Sequence, residues 1–130
     1  MAEGPDEPAT IASFRADTDT DDLCAALLAA LAHRGLTTTA PVSIERATEF
    51  SVELGGRLVS LLVGSPPDRP DERFLSIGRL TFASGRLIGQ RDDLGRRQVA
   101  ELVDGVLRDD LGVVGPRWWT ASAWRRRDDG

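Results

Sequence analysis

The chain has 130 residues, 41% of them hydrophobic and 28% charged, with a net charge of −5. That fits one soluble domain rather than two, and no apolar run approaches the roughly 18 residues of a membrane span. All 16 basic residues are arginine, and one histidine, His33, and one cysteine, Cys24, are present; Schiff-base and P-loop lysine chemistry, a Cys/His zinc site and an internal disulfide are thereby excluded.

No cofactor and no metal is expected, and the lone thiol fits a reducing, cytoplasmic compartment. Charge is uneven. Residues 1–22 carry seven acids against Arg15, so the remainder of the chain is close to neutral. An acidic molecule is a poor binder of nucleic acid.

Residues 1–8, acidic and bearing Pro5 and Pro8, read as a disordered tail without the chemistry of a signal peptide. Residues 9–124 read as a single α+β domain, and 125–130 as a polar tail. Thr10 to Phe14 is a short strand. Asp17 to Asp22 supplies helix-start residues, with Asp21 and Asp22 at the positive end of the helix dipole. Leu23, Leu27, Ala30 and Leu31 follow at helical spacing, and Gly35 ends the helix. Cys24 shares the apolar face. His33 lies on the opposite side, near the helix end.

Val42 and Ile44 begin a β region. Phe50, Val52 and Leu54 alternate with Glu49, Ser51 and Glu53, which marks a strand with one wet face. Gly55-Gly56 is a hairpin turn, and Arg57 to Val63 returns as a more apolar strand. Pro66, Pro67 and Pro70 place Gly64 to Arg73 in a loop. Phe74 to Phe82 is the next strand, followed after Ser84-Gly85 by a short segment, Arg86 to Ile88. Asp92 or Asp93 caps a second helix with the stripe Val99, Leu102, Val103, Val106, Leu107 and Leu111, ended by Gly112. A last strand is expected over Arg117 to Trp124.

The order β-α-β-β-β-β-α-β suggests two pseudo-repeated β-α-β units, each with Asp-Asp-Leu at its helix start. The expected architecture is a mixed sheet of four to six strands, its crossover strands parallel, with two helices packed on one face.

This element order, with Pro8 before the first strand, Arg46 after the first crossover and the stretch Phe74 to Leu80 leading to Arg96 through Leu102, resembles the tautomerase superfamily of macrophage migration inhibitory factor and 5-carboxymethyl-2-hydroxymuconate isomerase. The resemblance spans about residues 8 to 124. It implies a homo-oligomer, with a trimer favoured, acting on a small keto or enol carboxylate. Pro8 would be the catalytic base and Arg46 and Arg79 the carboxylate binders, because the guanidinium fork suits bidentate contact. That role for Pro8 requires removal of residues 1–7, since an internal proline nitrogen is an amide.

A second reading is non-enzymatic. Trp118, Trp119 and Trp124 place large aromatics near the C-terminal end. On a continuous strand, Trp118 and Trp124 would share one face and Trp119 the other. Exposed tryptophans mark a partner surface, so this reading is an interaction or assembly module using a tryptophan-bearing sheet face.

Overall fold

The computed structural model describes residues 9–44, 47–54, 57–78 and 93–129. Alternation of apolar and polar residues produces its longest ladder. Strand β4 (Ala47–Leu54) runs antiparallel to β5 (Arg57–Gly64), paired from Ala47 opposite Gly64 to Leu54 opposite Arg57. Strand β6 (Glu72–Ile77) continues the meander. Strand β1 (Ala9–Arg15) lies between β6 and the C-terminal strand β7 (Arg117–Thr120). Two short strands, β2 (Thr37–Thr38) and β3 (Val42–Ile44), share the far edge of β4.

The fold is therefore α+β, with a seven-stranded sheet among the described residues in the order β2-β4-β5-β6-β1-β7 and β3 paired with β4. Every ladder in it is antiparallel, where a mixed sheet was expected. The reason lies in the crossovers. Helix α1 (Thr20–His33) returns the chain in the direction of β1, but β6, β5 and β4 separate β1 from β2. Helix α2 (Asp93–Gly105) connects β6 to β7, and β1 stands between those two. The strands flanking each helix run the same way without pairing. The two units span different numbers of strands, so the β-α-β repeat is not confirmed.

Helices α1 and α2 cover one sheet face, as the periodicity predicts. Leu23, Cys24, Leu27 and Leu31 of α1, with Val99 and Val103 of α2, join Ala12, Phe14, Phe50, Val52, Leu61, Val63, Leu75 and Ile77 in one buried cluster. Burial of such aliphatic side chains stabilises by about 1.5–3 kcal/mol each. Helix α1 begins after Asp19, whose carbonyl accepts the Leu23 N–H at 2.9 Å. Gly35 (φ 86°) and Gly112 (φ 70°) follow the helices in the left-handed conformation.

Two features depart from the sequence reading. Helix α2 ends in a π-helical turn, Val106–Asp110, closed by the Leu111 N–H bonded to the Val106 carbonyl at 3.0 Å. And β7 stops at Thr120, where a third helix, α3 (Ala121–Asp129), begins. The Thr120 hydroxyl accepts the Ala123 N–H at 3.1 Å, an N-cap that ends the strand. Helix α3 packs on β1 and β7. Its Trp124 meets Phe74 and Trp119, which the β1 register places on the sheet face away from α1 and α2. The helix runs through Asp129, past Trp124, where the last strand is expected to end.

Candidate functional site

Three residues carry the enzymatic reading, and Pro8, Arg46 and Arg79 all lie outside the described residues, as does the Arg86 segment. The remaining candidates are placed as follows. Cys24 is buried in the core, and that burial, aided by the negative charge of Asp21, pushes its thiol up to about 11. It stays protonated at neutral pH and serves as a small apolar side chain. His33 is exposed at the end of α1.

The tryptophans divide between the two sheet faces. Trp118 turns toward the helices and donates its indole N–H to Asp104 at 2.9 Å, and Asp104 also accepts from Arg108. Trp119 lies on the outer face, donating to the Ser13 hydroxyl at 2.9 Å, with the Arg117 guanidinium 4.2 Å from its ring centre. Trp124 joins Trp119, not Trp118, because α3 replaces the expected strand. Its ring centre lies 5.8 Å from that of Trp119, in edge-to-face contact, and 5.8 Å from that of Phe74. Gly64, opposite Phe74, makes room for that ring: a Cβ there would fall 2.8 Å from Phe74 Cζ. All three tryptophans are half-buried.

A cleft of about 900 Å³ opens between the ends of β1 and β6 and the loop after α2, lined in part by Arg15, Thr18, Arg69, Asp71 and Val113. Its arginines are already paired, Arg15 with Asp71 at 3.3 Å and Arg69 with Glu72 at 3.8 Å. A carboxylate ligand would have to displace those acids. Nearby Arg73, 7% exposed, donates to the carbonyls of Thr18 (2.8 Å) and Pro70 (2.6 Å) and pins the loop before β6 to the start of α1. Its work is architectural. Among the described residues, no group of three His, Cys, Asp or Glu could hold a metal ion, and no helix is long and apolar enough to cross a membrane.

The outer face of the β3-β4-β5 corner has a different character. Phe50 and Val52 point to the helices, so Glu49, Ser51 and Glu53 point outward. Register then aligns Val42, Glu49 and Leu62 in one cross-strand row, and Thr37, Glu53 and Leu58 in another. Leu58 is 66% exposed and Val42 50% exposed. Buried Ser51 and Ser60, paired with each other, lie between the rows. Glu49 is only 8% exposed and, among the described residues, has neither a hydrogen-bond nor an ion-pair partner. Burial holds its carboxyl above the usual glutamate range. The alternation predicts a wet face here. The structure instead gives a carboxylate walled by aliphatic neighbours, which only the strand register reveals.

Comparison with known proteins found no matching family model, no matching curated protein and no matching solved structure.

Proposed function

We propose that this chain is a non-catalytic interaction module, of the assembly or chaperone type, whose docking surface is the outer face of the sheet. The observation that carries this reading is the exposure of Leu58 and Val42 on the two strands flanking β4. Large aliphatic side chains on a regular, rigid sheet face offer apolar contact without reordering the backbone. The aromatic cluster of Phe74, Trp119 and Trp124 lies on the same face, toward its other side. The partner is a polypeptide. Outward Glu49 and Glu53, together with a net charge of −5, repel the phosphates of nucleic acid.

Site-specific photo-crosslinking in the native host tests the reading. A photoreactive amino acid at position 58 or 42 should yield a discrete crosslinked protein, identifiable by mass spectrometry. The same group at Glu101, exposed on α2, should not. Equal crosslinking from all three positions, or none from 58 and 42, would refute a dedicated surface.

A further inference from the structure

We propose that Glu49 is the receptor for a single arginine or lysine that the docked partner presents between apolar side chains. The inference rests on the interaction-module reading and specifies the chemistry of its occupant.

A glutamate is almost never buried without a partner, because its charge loses hydration that nothing replaces. Glu49 is 8% exposed and unpartnered among the described residues. No buried side-chain oxygen or nitrogen in the described structure lacks a hydrogen bond. The Glu49 oxygens are therefore not wholly enclosed, although the residue as a whole is buried. Register sets that carboxylate on the outer face of the sheet, between Val42 and Leu62. A cation arriving there restores what burial removed, and it does so in a setting where charge-assisted hydrogen bonds are strong.

The surroundings define the remainder of the ligand. Aliphatic walls on both sides suit the methylene stem of arginine or lysine and apolar residues next to it. Glu53 lies four residues along the same strand face, about 13 Å away at ordinary strand rise, with Leu58 directly opposite it. The occupant is thus an apolar polypeptide segment bearing one essential positive charge, with Glu53 offering a weaker, solvated contact.

A displayed library of short randomised peptides, panned on the intact chain and on Glu49→Gln and Glu53→Gln variants, gives a direct test. Glu49→Gln removes an unfavourable charge and is expected to fold, which its circular dichroism spectrum checks. The wild type should enrich peptides with arginine or lysine flanked by aliphatic residues. Glu49→Gln should lose that enrichment, and Glu53→Gln should keep most of it. The best peptide should lose about tenfold or more in affinity when its arginine becomes citrulline, and that loss should vanish in Glu49→Gln. Apolar enrichment indifferent to Glu49 would overturn the cation and leave the docking surface standing. No enrichment, together with no crosslinking from position 58, would defeat both. Self-association abolished by Glu49→Gln, with no peptide enriched, would make the occupant a second copy and overturn a foreign segment.

Discussion

Cys24 and Glu49 show how one physical effect gives two side chains different fates. Both lose water, and in both the neutral form gains. For Cys24 the result is inertness: with the thiol pushed up to about 11, a disulfide reagent at pH 8 should leave the native protein unlabelled. Labelling should follow the unfolding rate in urea, and rapid native labelling would contradict the burial. For Glu49 the result is a pH-dependent cost. Its folded carboxyl binds protons more tightly than the unfolded one, so stability falls as pH rises from about 4, the unfolded value, through the raised folded value. Glu49→Gln should therefore melt higher than wild type at pH 8, and the gap should close below about pH 4. Melting curves across that range check the sign. The sequence discloses Cys24, since helical spacing assigns its face. Glu49 is hidden there, because alternation alone marks it as outward and wet. Its apolar walls, Val42 and Leu62, come from other strands and depend on register.

At the scale of elements, periodicity is reliable where one face is buried continuously. The α1 and α2 stripes, the β4-β5 alternation and the terminating glycines are all legible in the residues. The C-terminal segment is not, because Trp118, Trp119 and Thr120 are strand-favouring residue types and the short run after them carries no extended apolar stripe at helical spacing. The signal that resolves it is local: Thr120 followed three residues later by an alanine whose N–H it caps. Thr120→Ala should cost about 0.5–2 kcal/mol, measured by urea denaturation. It should also weaken the near-ultraviolet dichroism of the Trp119–Trp124 pair, since α3 carries Trp124 into that contact. Unchanged aromatic dichroism would mean the cap does not position the helix. The π-helical turn at Val106–Asp110 has no comparable mark in the sequence. It coincides with the place where Arg34 at the end of α1 grips Asp110 through two bonds of 3.0 and 3.3 Å, an ion pair that lowers the Asp110 carboxyl.

At the scale of the whole molecule, the two sheet faces should answer differently to the same kind of change. Leu61→Ala opens a cavity under the helices and should cost about 2–5 kcal/mol, whereas Leu58→Ser, on the outer face, should stay within about 0.5 kcal/mol of wild type. Equal losses in urea denaturation would contradict the placement of Leu58. The α+β class follows from element order, but the strand arrangement does not, because the position of β1 is fixed by contacts distant in sequence. That position has a consequence for how the protein is made. β1 pairs with Glu72–Ser76 on one side and Arg117–Thr120 on the other. At ordinary translation speed, the interval between synthesis of Ala9 and of Thr120 is on the order of ten seconds. Throughout it, the run Thr10 to Phe14, buried in the finished fold, lacks at least one neighbour, with strand-edge groups ready to pair with any other chain. The strand made first is completed last, so the hazard of misassembly on the ribosome concentrates in those few residues.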